Sequence, residues 1–279
     1  MLSFANVIWG ARCGKSARRV LLGETRSSGH VYSVRRRRES VVWREAPHRL
    51  PPSRLVSTVP FDLWAERWRR RKATGDMVCV RYADDIVLGF QHEGDARRFW
   101  EAMRERLREF SLMLHPEKTR LIMFGRYAAQ QRAERGLSKP ETFNFLGFTF
   151  ICGKSKQGKF LLCRKSRRNR MQAKLKQVKE ELRKRRHQSI PEQGKWLRQV
   201  VGGFFAYHAV PTNSHSLVAF LHHVTDLWRR SLRRRSQKDR TTWGRMAQLA
   251  DAFLPQPRIL HPWPSDRFAV KHPRWEPSA

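Results

Sequence analysis

The sequence predicts an α+β fold: a small antiparallel sheet with packed helices, followed by a helical and strongly basic C-terminal part. Three observations predict it. Residues 77–90 read Met-Val-Cys-Val-Arg-Tyr-Ala-Asp-Asp-Ile-Val-Leu-Gly-Phe, two short β-branched apolar runs around a tight turn that carries Asp84 and Asp85, which is the pattern of a β-hairpin. Ala96, Phe99, Trp100, Met103, Leu107 and Phe110 recur near every 3.6 residues with charges between them, which predicts an amphipathic helix over 94–110. From residue 166 onward, apolar stripes at the same spacing alternate with rows of Lys and Arg.

The remaining elements follow in order. Residues 1–58 hold few sustained periodicities, an Arg35–Arg38 run and a Pro51-Pro52 break, and are read as a poorly structured basic leader. Its Gly10-Ala-Arg-Cys-Gly14-Lys15-Ser16 stretch looks like a phosphate-binding loop but has one residue too few between its glycines to wrap a phosphate with backbone amides. Residues 62–72 carry Leu63, Trp64 and Trp68 on one side and end in basic residues before Gly75, a helix with a C-terminal glycine. A turn is predicted at 112–116, a strand at 118–124, a polar loop at 126–139, and a second hairpin from strands at 143–151 and 159–163. Met171, Leu175, Val178 and Leu182 mark a helix over 166–187, and further helices are predicted at 196–206, 214–235 and 242–253. The domain organisation is therefore a leader at 1–58, a sheet-containing region at 59–164 and a helical region at 165–279.

The charge balance names the class of partner. With 58 Lys and Arg against 24 Asp and Glu, the net charge is +34 and the pI near 11.5. Such self-repulsion is relieved by a polyanion, above all nucleic acid, whose phosphates release counterions on binding. An apolar fraction of 40% suffices for a core. Cys13, Cys79, Cys152 and Cys163 form no CxxC pair and no metal spacing with histidine, so reduced thiols are expected. No apolar run reaches eighteen residues, so no membrane partner is expected.

Two residue sets carry candidate chemistry. Asp84 and Asp85, thrust together from the end of a hairpin, repel each other and are most easily kept ionised by divalent cations. The rows Arg167, Arg168, Arg170 and Lys174, and Arg229, Arg230, Arg233, Arg234 and Arg235, suit contacts to the phosphates of RNA or an RNA/DNA duplex. The interleaved Trp196, Phe204, Phe205, Tyr207 and Trp228 are expected to pack rather than stack on bases.

Several stretches together resemble the group II intron-encoded reverse transcriptase/maturase family. Tyr82-Ala83-Asp84-Asp85 is similar to its active-site box. Phe61-Asp62-Leu63-Trp64 with Trp68 and Arg69 resembles the preceding helix, Leu114-His115-Pro116-Glu117-Lys118-Thr119 the next palm motif, and Phe143-Asn144-Phe145-Leu146-Gly147-Phe148 the primer-grip hairpin. Trp196-Leu197, residues 204–211, 232–237, Thr242-Trp243 and 257–264 resemble the thumb and maturase region of bacterial members. The resemblance implies a partial palm followed by an α-helical thumb/maturase domain in a cytoplasmic, bacterial RNA-directed DNA polymerase. It implies two Mg²⁺ held by Asp84 and Asp85, with Lys118 assisting proton transfer or neutralising phosphate, and Phe145, Leu146 and Gly147 positioning the primer end. Structured intron RNA and an RNA/DNA duplex would be partners, with a DNA target as a further one.

The sequence also departs from that family. A complete member supplies a third carboxylate from an earlier palm strand and a fingers region. Before Tyr82 the acids are Glu24, Glu39, Glu45, Asp62, Glu66 and Asp76, none of them in a strand-like segment. The expectation is a chain that lacks the fingers and first palm carboxylate, is inactive as a polymerase alone, and is either completed by a missing N-terminal fragment or acts as a non-catalytic RNA-binding maturase module.

Overall fold

The computed structural model describes residues 4–9, 52–82, 85–114, 119–235, 241–264 and 266, with the backbone alone for 4–9 and 52–60. Asp84 and Lys118, the phosphate-loop lookalike at 10–16 and Cys13 lie outside the described residues. The elements are β1 (Phe4–Trp9), α1 (Pro52–Lys72), β2 (Met77–Tyr82), β3 (Asp85–Phe90), α2 (Glu93–Arg108), β4 (Arg120–Met123), α3 (Ala128–Glu134), β5 (Phe143–Phe145), β6 (Phe148–Lys154), β7 (Phe160–Ser166), α4 (Arg168–Lys184), α5 (Ile190–His208), α6 (Ser214–Arg233) and α7 (Trp243–Phe253). They form two compact units, residues 1–143 with 152–162 and 267–279, and residues 144–151 with 163–266. The mixture of helix and sheet fits a partial polymerase palm.

The first unit is built on a four-stranded sheet of order β2-β3-β1-β4. β2 and β3 pair antiparallel from Met77↔Phe90 to Tyr82↔Asp85, as the hairpin pattern in the sequence predicts. β1 lies between β3 and β4 and runs parallel to both. This corrects two expectations. The sheet is mixed rather than antiparallel, and the leader, expected to lack regular structure, supplies one of its central strands. The apolar, partly β-branched run Phe4-Ala-Asn-Val-Ile-Trp9 becomes a strand because β3 and β4 each offer it an unpaired ladder edge, a long-range condition that no local pattern reveals. The helix expected from residue 62 also begins earlier, at Pro52. Pro60 has no amide hydrogen and reads as a helix start, yet here it lies inside α1.

Helices α1 and α2 furnish the apolar side of this unit. Phe61, Ala65 and Trp68 of α1 and Ala96, Phe99, Met103 and Leu107 of α2 pack with Met77, Ile86, Leu88 and Phe90. Trp68 meets Phe99 edge-on at 4.9 Å, a favoured aromatic geometry. Phe110, expected on the buried stripe, is 41% exposed because the helix stops at Arg108 and the chain turns at Ser111, whose φ is 55°. The segment 126–139, expected to be a loop, contains the short helix α3.

A buried carboxylate ties α1, β2 and α2 together. Asp95, 1% exposed, accepts from the Thr74 amide (2.9 Å), the Thr74 hydroxyl (3.0 Å) and the Gly75 amide (3.0 Å), and pairs with Arg98. These donors satisfy backbone groups at the turn that leads into β2. On β2 itself, Arg81 grips Asp62 of α1 through two hydrogen bonds, 2.9 and 2.6 Å.

The second unit is the helical one. Val178 and Leu182 of α4, Leu197, Val201, Phe204 and Phe205 of α5, Leu217, Phe220, Val224, Trp228 and Leu232 of α6, and Met246 of α7 form its core. α5 begins with a full capping box, Ser189 and Glu192 exchanging side-chain and backbone hydrogen bonds. Gly194 admits α7: a Cβ there would lie 2.5 Å from the Phe253 ring. β5, β6 and β7 form a three-stranded sheet in that order.

Burial opposes ionisation of Asp95, but the hydrogen bonds from Gly75, Thr74 and Arg98 outweigh it and hold the carboxyl below its ordinary 3.8. Its stabilising contribution is therefore full above that value and lost as pH falls through the lower folded value. Asp95→Ala, which leaves the Thr74 and Gly75 donors without their acceptor, is expected to cost roughly 3 kcal/mol, read from urea unfolding at neutral pH. The gap between wild type and variant should narrow below about pH 3.8.

Candidate functional site

The acidic hairpin owes its shape to register. The pair Tyr82↔Asp85 is the last of the ladder and places Asp85 at the first position of β3, half-buried. From Ile86 to Phe90 every residue of β3 is buried, so Asp85 stands at the mouth of an otherwise apolar element. The neighbouring thiol takes no part in chemistry: burial first, and then the Asp62 carboxylate, push Cys79 up to about 12. Cys79, Cys152 and Cys163 are free thiols, as the sequence led us to expect.

The fit of this hairpin to a pair of divalent cations can be tested on its neighbours. Asp85 pairs across the sheet with Tyr82 on one side and with Phe4 of β1 on the other, and no Asp or Glu occurs in residues 4–9. Asp62, the acid nearest in the helix motif, is committed to Arg81. Among the described residues no three His, Cys, Asp or Glu side chains come together as a metal site. The described donor set thus does not make up a two-cation site.

In the second unit, the turn between β5 and β6 is held from several directions. Leu146 and Gly147 both have positive φ, 47° and 75°, the left-handed pair of a tight hairpin turn, and leucine there is strained. The Tyr207 hydroxyl donates to the Leu146 carbonyl at 2.8 Å, and the Arg167 amide donates to the Gly147 carbonyl at 2.9 Å. Phe148 stacks on Tyr207 with ring centres 5.6 Å apart. Phe145 is buried. These contacts offset the strain at Leu146.

His208 stands behind that turn. It stacks on Phe204 at 4.3 Å, approaches the Ser166 hydroxyl through Nδ1 at 3.1 Å, and is pushed by burial down to about 4. Asn213 completes the cluster, donating to Ser166 Oγ (2.9 Å) and to the His208 carbonyl (2.7 Å) while accepting from the Ser166 amide (2.9 Å).

The basic residues predicted for nucleic-acid contact are not one patch. Arg164 and Ser166, at the end of β7 just before α4, bond Thr212 and Asn213 just before α6, while Ser231 near the end of α6 donates to the Leu182 carbonyl near the end of α4. The two helices therefore run side by side in the same direction. Arg167, Arg168, Arg170 and Lys174 lie toward one end and Arg229–Arg235 at the other, separated by roughly 20 Å of helix.

What joins the α6 arginines is a set the sequence reading missed: Arg183, Lys184 and Arg186 at the end of α4. The parallel packing puts them at the same end of the helix pair as Arg230, Arg233 and Arg234. Glu181 and Asp226 offset part of this charge, Glu181 pairing with Lys184 and Arg185, and Asp226 with Arg229 and Arg230. Two of the predicted arginines also have structural work. Arg229 lies over the Trp243 ring at 4.3 Å, and Arg235 bonds the Gln188 carbonyl. Trp228, Phe204 and Phe205 are core, as expected.

Comparison with known families places a match on residues 18–150, to the model described as reverse transcriptase (RNA-dependent DNA polymerase). The matched stretch spans just under half of the chain, contains the acidic hairpin, and begins inside the segment read as leader. It supports a reverse transcriptase relationship for this part of the sequence, and with it nucleic acid as partner. Among curated proteins no match was found. No helix of the described residues is long and apolar enough to cross a membrane.

The depressed value at His208 means the unfolded chain binds a proton that the folded chain refuses. Stability is therefore lost as pH falls from 6.5 toward about 4. Thermal denaturation is expected to show a drop over that window in the wild type and none of comparable size in His208→Phe, which keeps the stacking but cannot titrate.

Proposed function

We propose that this protein is a group II intron reverse transcriptase/maturase-like protein whose own residues bind structured RNA rather than polymerise. The observation that carries the reading is the alignment of the α4 and α6 C-terminal ends, which gathers Arg183, Lys184, Arg186, Arg230, Arg233 and Arg234 on two helices whose terminal dipoles favour cations. A cluster of this density is relieved by phosphates. The ordered sequence motifs support the intron-type assignment: the Tyr82–Asp85 box, the Leu114–Thr119 stretch, the Phe143–Phe148 hairpin and the segments from Trp196 to Pro264.

The family's chemistry runs on two Mg²⁺ ions, which activate the primer hydroxyl and stabilise the leaving pyrophosphate. Asp84 and Asp85 are the acids this chain would offer them, with Lys118 beside the phosphates. The excess of basic residues supports the RNA-binding reading directly. The β5–β6 turn, with Phe145, Leu146 and Gly147, is the segment proposed to meet the end of a primer strand, and its fixed geometry suits a positioning role. RNA/DNA duplex and a DNA target are further partners of this reading.

Fluorescence anisotropy with a structured RNA is expected to show affinity falling by about 10³-fold between roughly 50 and 200 mM salt. In the Arg183→Gln/Arg233→Gln/Arg234→Gln variant the log–log slope should be shallower by about two, with thermal stability unchanged. An affinity flat in salt would sink the proposal. In primer extension on poly(rA)/oligo(dT) with Mg²⁺, the wild-type chain is expected to incorporate no more than its Asp85→Asn form, and incorporation abolished by that substitution would instead establish the polymerase.

A further inference from the structure

Trp243 stands apart from the core of the helical unit. Its side chain opens α7 directly after the Thr242 cap, is 47% exposed, and lies outside the apolar cluster that Phe204, Phe220 and Trp228 build. An indole so placed forgoes much of the burial that would stabilise the fold, and the Thr242 hydroxyl caps the helix by accepting from the Arg245 amide, whatever side chain follows it. The ring is nevertheless held in place. The Arg229 guanidinium lies over it, 4.3 Å from the ring centre, and His222 stacks against it at 5.8 Å with the planes 15° apart. His222 and Arg229 are two helical turns apart on one stripe of α6, so both contacts come from the same helix and the rest of the ring faces solvent. Asp226, between them on that stripe, pairs with Arg229 and Arg230 and steadies the guanidinium against the indole. Around the ring the surface is basic: Arg230, Arg233 and Arg234 are exposed, with Arg233 one turn beyond Arg229.

We propose that Trp243 is a stacking platform for an unpaired base of bound RNA, with Arg233 meeting the phosphate beside it. A polynucleotide supplies both partners that this surface calls for, a planar base for the indole and phosphates for the arginines. Because Arg229 and His222 already hold the ring, little side-chain freedom is lost when a second flat group stacks on it. The inference rests on the RNA-binding reading and deepens it. It names the ligand as a duplex with an adjoining single-stranded segment, since a base inside a duplex has its faces covered by its neighbours whereas an unstacked base is free to lie on an aromatic ring. Every base has a π face, so the site selects for unpaired structure rather than for sequence. The two contributions also differ physically: phosphate contacts weaken as salt rises, and the stack does not depend on counterion release.

The test uses the full chain, its Trp243→Leu and Trp243→Tyr variants, and three fluorescein-labelled RNAs: a blunt hairpin, the same hairpin with a short adenosine tail, and the same hairpin with a tail of abasic residues, which keeps the tail phosphates without the bases. In anisotropy titrations the wild type is expected to bind the adenosine-tailed RNA about ten-fold more tightly than the abasic-tailed one, a gain that persists as salt weakens binding of all three. Trp243→Leu, which keeps an apolar side chain against α6 but offers no π face, should lose the gain, and Trp243→Tyr should retain it. Equal affinity of the wild type for the two tails, with binding still salt-dependent, overturns the stacking site and leaves the RNA-binding reading intact. That comparison decides the matter even should neither variant fold. Failure of all three RNAs to bind removes the RNA-binding reading and the stacking site together. A Trp243→Leu that keeps the gain, or a Trp243→Tyr that loses it, places the base on another surface. A Trp243→Leu that weakens all three RNAs alike gives the ring a purely structural role, and each of these results is against the proposal.

Discussion

The first unit is organised around the isolation of β3 from water. From Ile86 to Phe90 its side chains are buried, and a strand so placed must have its backbone groups paired on both edges, because an orphaned amide or carbonyl in that setting costs as much as a lost hydrogen bond. β2 provides one edge through the hairpin, and β1 provides the other from far away in sequence. Helices α1 and α2 supply the apolar contacts, and the Asp95 carboxylate binds the turn between α1 and β2 to α2. The acidic pair inherits its position from this arrangement: Asp85 opens the strand only because Tyr82↔Asp85 is the last pair of the ladder.

The second unit depends on polar brackets at both ends of a helix pair. At one end Asn213 satisfies Ser166 and the His208 carbonyl. At the other, the fully buried Gln193 accepts from the Trp228 indole at 2.9 Å and donates to the Arg185 carbonyl at 2.6 Å, tying α5 to α6 and to the end of α4. Asn213 and Gln193 are both fully buried and both hydrogen-bonded, so each bracket fixes one packing rather than a range of them. With α4 and α6 held in parallel register, the basic residues that end each helix fall at the same end of the pair, where Glu181 and Asp226 offset part of their charge.

Local signals in the sequence proved legible where the structure is local. The hairpin at 77–90 follows from two β-branched runs and a short turn, and the buried face of α2 from the spacing of Ala96, Phe99, Met103 and Leu107. Failures came where a local signal met a longer-range condition. The helix expected over 62–72 begins at Pro52, with Pro60 inside it. Phe110 fits the apolar stripe but falls beyond the helix end. The polar stretch at 126–139 carried too little apolar periodicity to announce α3. Among candidate site residues, Asp85 opens β3 rather than lying in the turn, and Leu146 and Gly147 interrupt the stretch 143–151, expected as one strand, whereas the two arginine rows do not meet, and Arg183, Lys184 and Arg186 acquire their interest only through a neighbour.

The sequence by itself determined the hairpin and its acids, the amphipathic stripes, the excess of positive charge and the motifs that resemble a reverse transcriptase, because each is written in spacings of two to four residues or in composition. Only the tertiary structure decided which strand closes the open edge of β3 and which ends of α4 and α6 coincide. Strand partner and helix direction are chosen by burial and hydrogen bonding across segments far apart in the chain. An apolar run such as Phe4–Trp9 carries nothing in its own pattern to say where it will pair.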